Sequence, residues 1–406
     1  MSDWNEVTLG SICHGIYDGP HATPKRLDQG PIFLGISSLN AGRIDLSKSD
    51  HLSEADFKKW TRRITPQEND IVFSYETRLG EAALIPAGLR CCLGRRMALI
   101  RPDISKVNPQ FLLYAYLSPK FQGILKSRQV HGSTVNRIPL SELPDYPVLI
   151  PSLETQNQIA STLSNLDRKI ENLRRQNETL EAIAQTLFKH WFIDFEFPNA
   201  DGKPYKSSGG AMERSELGEI PAGWRVGQLG DEFDILMGQS PAGSSYNEDG
   251  EGLIFFQGRT DFGFRFPQVR LFTTEPKRIA NKFDVLVSVR APVGDINVAF
   301  EKCCIGRGLS AVSSQYKSYC LYKLKSFKKF FDVFESEGTV FGSLNKQTFN
   351  ELASIIPNST ATEAFESIVS PMDSKIFVNE RQIQTLTQTR DVLLPKLMSG
   401  KLRIQS

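Results

Sequence analysis

The turn Tyr17-Asp18-Gly19-Pro20-His21-Ala22-Thr23-Pro24-Lys25 gathers Tyr17, His21, Thr23 and Lys25 into one short polar stretch. Arg78 follows a strand-like run, and the Gly-led loop from 132 to 137 adds Ser133, Thr134, Asn136 and Arg137. Farther along, Gln239, Ser240, Ser244 and Tyr246 share a second polar stretch, followed by Arg259, Arg290, Asn345 and Lys346. Such residues suit one kind of chemistry. Lys, Arg and backbone N–H groups hold phosphates, whereas Arg matches the guanine edge and Asn or Gln the adenine edge. Each loop also fits simple turn chemistry, so the sets carry the expectation of nucleic-acid contact better than any single residue.

Bond-making chemistry has no comparable footing. There is no Gly-rich loop ending in Gly-Lys-Ser/Thr and no Gly-x-Gly-x-x-Gly, so ATP or NAD is not expected by those routes. The five histidines form no His-Glu-x-x-His, and Cys-x-x-Cys is absent, so zinc is not expected. No cofactor, metal or catalytic set is assigned. Four of the six cysteines form the adjacent pairs Cys91-Cys92 and Cys303-Cys304. Neighbouring strand residues point to opposite faces, which favours buried, reduced thiols over a metal clamp. The net charge is only +2, so any basic surface must be local. No apolar run reaches the roughly 18 residues that span a bilayer, and Met1-Ser2-Asp3-Trp4 does not open a signal peptide; a cytoplasmic protein without membrane contact is expected.

The elements that must position these loops are written twice. Trp4-Asn5-Glu6-Val7-Thr8-Leu9-Gly10 returns as Trp224-Arg225-Val226-Gly227-Gln228-Leu229-Gly230. Asp70-Ile71-Val72-Phe73-Ser74 returns as Asp284-Val285-Leu286-Val287-Ser288, and Cys91-Cys92-Leu93-Gly94-Arg95 as Cys303-Cys304-Ile305-Gly306-Arg307. The matches keep one order at nearly constant offset, the mark of a duplicated domain. Each copy reads as short strands punctuated by Gly and Pro, then a helical stretch (109–126 and 319–336), then a polar loop, then Pro151 or Pro357 before a long helix. Arg95 and Arg307 occur in both copies, which suits phosphate contact or, preferably, a structural role.

From Ile159 the apolar positions recur as Leu163, Leu166, Ile170, Leu173, Asn177, Leu180, Ala184, Leu187 and Trp191, a 3.5-residue period. Phe365, Val369, Met372, Ile376, Asn379, Ile383, Leu386, Arg390, Leu393 and Leu397 repeat it. Each seam holds one asparagine at a different layer. An antiparallel register sets Asn177 against Asn379, Ile159 against Leu397 and Trp191 against Phe365; a parallel one leaves each amide facing carbon. Pairing within one chain is therefore expected, with a homodimeric zipper as the alternative, and gives a spacer roughly 48 Å long at 1.5 Å per residue. Charges on these helices, such as Asp167-Arg168-Lys169, read as a solvated face. The expected fold is α+β: two tandem α/β domains separated by two long helices in an antiparallel intramolecular coiled coil, related by an approximate two-fold axis. The expected boundaries are 1–152 and 221–357 for the domains, 153–194 and 358–398 for the helices, 195–220 for a surface linker rich in Gly, Ser and Pro, and 399–406 for a tail.

The segments Leu166-Asp167-Arg168-Lys169-Ile170, Leu187-Phe188-Lys189-His190-Trp191-Phe192 and Leu394-Pro395-Lys396-Leu397-Met398-Ser399-Gly400 resemble the central regions of type I restriction-modification specificity subunits. Phe255-Phe256-Gln257-Gly258 and Ser288-Val289-Arg290-Ala291-Pro292-Val293-Gly294-Asp295 resemble stretches of that family's target-recognition domains. The likeness covers essentially the whole chain. It implies a non-catalytic subunit that reads a bipartite site on double-stranded DNA and docks methyltransferase and restriction subunits, with S-adenosylmethionine, ATP and Mg²⁺ bound by those partners. It also tips Arg168, Arg174, Arg175 and Lys189 toward docking the methyltransferase. A stand-alone DNA-binding regulator and a coiled-coil scaffold without nucleic acid are the rival readings.

Overall fold

The computed structural model describes residues 4–130, 136–336 and 343–404. The chain falls into two compact units, residues 1–172 with 382–406 and residues 173–381. Each unit therefore contains one copy of the repeat and a stretch of each long helix.

In the first unit, four antiparallel strands lie in the order Cys13–Asp18, Met97–Pro102, Ile71–Ser74, Ala82–Leu84. Ile71 and Phe73 pack toward Phe111 and Leu112 of the helix Pro109–Leu117, whereas Val72 packs against Leu34, Cys91 and Leu93 on the opposite face. With both faces covered, the strand reads as a continuous apolar run. A second sheet pairs Leu27–Leu34 in parallel with Cys91–Leu93. Cys91 and Cys92 point to opposite sides of it, one toward Val72 and the other toward Phe33, Leu52 and Phe57. Burial pushes both thiols up to about 12, as expected of inert core cysteines.

The second unit repeats the strand order with Asp234–Met237, Leu309–Ser313, Val285–Ser288 and Ile296–Val298. Its parallel pair is Leu253–Phe256 with Cys303–Ile305. The duplication is thus one of topology as well as sequence. The repeated aspartates explain part of it. Asp70 accepts the Gln67 amide at 2.8 Å and holds Arg101 through two bonds; Asp284 accepts the Asn281 amide at 2.8 Å and holds Lys317 at 2.9 Å. Each closes the turn that launches the central strand.

Side chains of the expected types begin the helices. Ser152 accepts from Thr155 N at 3.3 Å before the long helix Leu153–Phe188, and Asn358 from Ala361 N at 3.0 Å before Ser359–Met398. The helical stretch 109–126 proves to be two helices, Pro109–Leu117 and Pro119–Ser127. Ser118 ends the first and caps the second, and Pro119 takes the first position of the new one.

The helix pairing follows the antiparallel register. In the first unit Ile159, Leu163 and Leu397 share one core, and Arg390, the cation on the seam, donates to Asp167 at 3.0 Å. Asp167 also accepts the Tyr114 hydroxyl at 2.6 Å, so its reading as a solvated charge is corrected. In the second unit the Trp191 and Phe365 rings lie 6.0 Å apart, and Asn379 donates to Asn177 at 2.8 Å. There Tyr322 meets Asp373 at 3.0 Å, as Tyr114 meets Asp167. Arg265, only 3% exposed, joins Asp373 and Glu181, and Lys325 reaches Glu181 as well.

The segment 195–220, expected as a surface linker, is largely exposed but is anchored to the core by buried Phe195, Phe197 and Ile220. The helix ends in a π-turn, Lys189–Ile193. Beyond it Phe195 and Phe197 are buried, Phe197 stacks between Tyr205 and Trp224 at 4.5 and 5.0 Å, and Met212–Ser215 pairs with Gly218–Pro221 as a hairpin. Among the described residues no helix is long and apolar enough to cross a membrane.

Candidate nucleic-acid interface

Both copies present loops at the end of the central strand. In the first unit the Ser74 hydroxyl donates to Glu76 O at 2.7 Å and folds the chain into the loop that carries Arg78. Glu76 then bridges Arg137, and Ile138 N donates to Tyr75 O at 2.9 Å. Arg78, Asn136 and Arg137 are thereby brought to adjoining loops. Asn136 and Arg137 are exposed; Arg78 is half-buried and already donates to Ile36 O at 3.3 Å and Glu81 at 3.1 Å. Ser133 and Thr134 lie outside the described residues.

The second unit repeats the construction. The Ser288 hydroxyl donates to Pro292 O at 2.9 Å, Arg290 bridges Ser343, and Leu344 N donates to Val289 O at 2.8 Å. Arg290, Asn345 and Lys346 adjoin here, all exposed. Asn345 spends its side-chain oxygen on Thr348 N at 2.9 Å, capping the helix Lys346–Asn350, and keeps its amide hydrogens for other acceptors. Arg259 is exposed and paired with Asp295.

The other predicted residues sit on a second edge of each copy. Tyr17 lies in the strand Cys13–Asp18, His21 bonds Asp18 at 3.1 Å, and Thr23 and Lys25 are exposed beyond it. Gln239 N donates to Ile305 O at 3.0 Å, Ser240 accepts from Arg307 N at 3.2 Å, Ser244 is exposed, and Tyr246 donates to Pro241 O at 3.1 Å. Glycine is required where these turns begin. A Cβ at Gly19 would sit 2.9 Å from the Gly94 carbonyl oxygen, and one at Gly238 would come closer still to that of Gly306. Both turns are therefore pressed onto the Gly-Arg dipeptide that the repeat preserves.

Arg95 does not fill the structural role preferred for it. It is exposed, with no carboxylate or hydrogen-bond partner among the described residues. Sequence reasoning missed its neighbours Arg26, Lys48 and Arg96, which share a cavity wall with it. Arg96 directly follows the repeated Arg95, and that adjacency was the available signal.

Residues 1–182 match the type I restriction modification DNA specificity domain. The putative type I restriction enzyme MjaX specificity subunit of Methanocaldococcus jannaschii is 31% identical over 420 residues, spanning 100% of this chain and 95% of that protein. The MjaIX specificity subunit of the same organism is 28% identical, over 96% of this chain and 88% of its own. Among solved structures, the type I restriction-modification system S subunit from M. genitalium superposes with a TM-score of 0.62 at 18% identity, covering 97% of this chain and 96% of that one. That superposition bears on the fold alone.

Proposed function

The chain belongs to the family of type I restriction-modification specificity subunits, and on that premise we propose that its two domains, residues 1–152 and 221–357, each read one half of a bipartite, asymmetric site on double-stranded DNA. Its part is recognition, not bond-making. One observation carries the assignment: the same strand order ends in paired loops whose scaffolds match and whose donors differ. Arg78, Asn136 and Arg137 stand in the first copy; Arg259, Arg290, Asn345 and Lys346 stand in the second. Unlike donors on like scaffolds favour unlike bases.

The proposed partners are methyltransferase subunits and restriction subunits, which would carry the catalysis and bind S-adenosylmethionine, ATP and Mg²⁺. Arg168, Arg174, Arg175 and Lys189, on the long helix or its terminal π-turn, are the proposed contacts to the methyltransferase. Single-molecule methylome sequencing of cells carrying this gene with its neighbours tests the reading. The expected result is one methylated motif made of two unlike half-sites at a fixed gap. A continuous motif, or none together with no salt-dependent DNA affinity of the purified chain, would sink it.

A further inference from the structure

The first unit contains a cavity of about 490 Å³ beside the Tyr17–Lys25 turn, and its walls are strongly cationic. Arg26, Lys48, Arg95 and Arg96 face it, against the single carboxylate of Asp50, with the Phe33 ring in its lining. Arg26 lies 3.1 Å from Asp50 and Lys48 lies 3.6 Å from Asp45, but these two cationic side chains are 63% and 58% exposed. Ion pairs so exposed are weak and easily exchanged for a better anion. Arg95 has no partner to exchange.

Arg96 adds an independent observation. Its φ is +71°, and it donates to Thr77, whose φ is +68°, at 3.1 Å. Left-handed backbone is disfavoured for both residues and most of all for a β-branched one, and such conformations persist where the surroundings or a function hold them. The second copy has Gly308 and Ala291 at the matching places. Neither of those is left-handed, and Arg96 also holds Glu76 at 3.1 Å, so the strained arginine and its ion pair at the cavity rim belong to the first copy alone.

We propose that this cavity seats a backbone phosphate of the DNA half-site read by the first domain, gripped by Arg95 and Lys48, with Arg26 and Arg96 completing the positive rim. The inference rests on the DNA-reading function above and adds a location to it. A phosphodiester supplies the missing negative charge, and the cavity leaves room for the attached sugar. Contacts of this kind fix the register of protein on duplex without discriminating bases, leaving discrimination to the loops with Arg78, Asn136 and Arg137.

The test uses the full chain with the subunits that copurify with it, and a duplex carrying the motif methylated in cells. In the Lys48→Ala/Arg95→Ala variant, the slope of log affinity against log salt should fall by about 0.9 for each contact removed, while the methylated motif stays the same. Arg95→Lys, which keeps the charge, should retain most of the slope. Both positions are exposed, and an unchanged melting temperature confirms the fold. An unaltered slope overturns the cavity assignment, and so does a changed base in the first half-site, which would make the cavity a base reader. Stabilisation by inorganic phosphate that the double variant loses, with DNA affinity intact, would assign the cavity to a free anion and equally overturn it. Failure of the wild-type complex to bind DNA would instead remove the DNA-reading function itself.

Discussion

Asn177 and Asn379 meet in a helix seam that is otherwise apolar apart from Arg390. The Asn379 amide donates to Asn177 at 2.8 Å, and the Asn177 amide donates onward to Glu380 at 2.7 Å. The carbonyl of Asn379 is buried without a partner, so the layer costs stability while it specifies register. Asn177→Leu should lower the stability of the second unit by about 1–3 kcal/mol, read from its denaturant midpoint, because the Asn379 amide and Glu380 both lose their partner. Adding Asn379→Leu should recover part of that loss but not all, since Glu380 remains without a donor; strictly additive losses would show the two amides uncoupled. Glu181 gives a pH test. Burial raises its carboxyl, but Arg265 and Lys325 outweigh burial and hold it below the usual carboxylate range. A lowered folded value stabilises fully above the unfolded value of about 4.3 and is lost as pH falls through the folded one. The wild-type midpoint should therefore drop in that acid window, and Glu181→Gln should flatten the drop. An equally steep fall in the variant would assign the acid sensitivity elsewhere. The two polar sites differ in legibility. The heptad period places both asparagines on the seam from sequence alone, whereas Arg265 stands 84 residues from Glu181 and 108 from Asp373. Nothing local marks that cluster, and the same blindness left Asp167 looking solvated.

At the scale of elements, periodicity was the dependable signal. Continuous apolar runs became the central strands, and the two heptad stretches became single helices of 36 and 40 residues. Punctuation misled in both directions. Ser118-Pro119 divides a helix that apolar content alone would continue, and the Gly, Ser and Pro of the exposed segment 195–220 hide the buried anchors Phe195, Phe197 and Ile220. Phe195 and Phe197 of that segment pack against Trp224 just beyond it, and aromatic residues spaced irregularly along a loop have no period to reveal them. Phe197→Ala should cost about 3–5 kcal/mol and open the segment to proteolysis near Gly202. An unchanged cleavage rate would mean that the stack does not hold it. The loops proposed to meet DNA were legible as turns, because Gly, Ser and Asn mark them. Which of their donors are already engaged was not, since the Arg78 partners Ile36 and Glu81 are a matter of tertiary approach.

At the scale of the molecule, duplication was the most legible feature, because matched segments in one order need no structural knowledge to interpret. Two units with one strand order follow from it. If each copy reads its own half-site, replacing residues 1–152 with the matching piece of a relative should change one half of the methylated motif and leave the other untouched. Changes in both halves would show that the copies do not read independently. Each long helix contributes residues to both units. Inserting one heptad into both, about 10.5 Å of helix, should widen the gap between half-sites by about three base pairs at 3.4 Å each. A methylated motif with its gap unchanged would refute a spacer role. The asparagine layer bears on how such gaps can evolve. A heptad gained by one helix alone slides Asn177 opposite Met372 or Leu386, so a viable lengthening requires two coordinated insertions in coding segments 202 residues apart. Half-site preference, by contrast, can shift through single codons in one loop. Among descendants of this gene the recognised bases should therefore diversify quickly, while the distance between them is inherited almost unchanged.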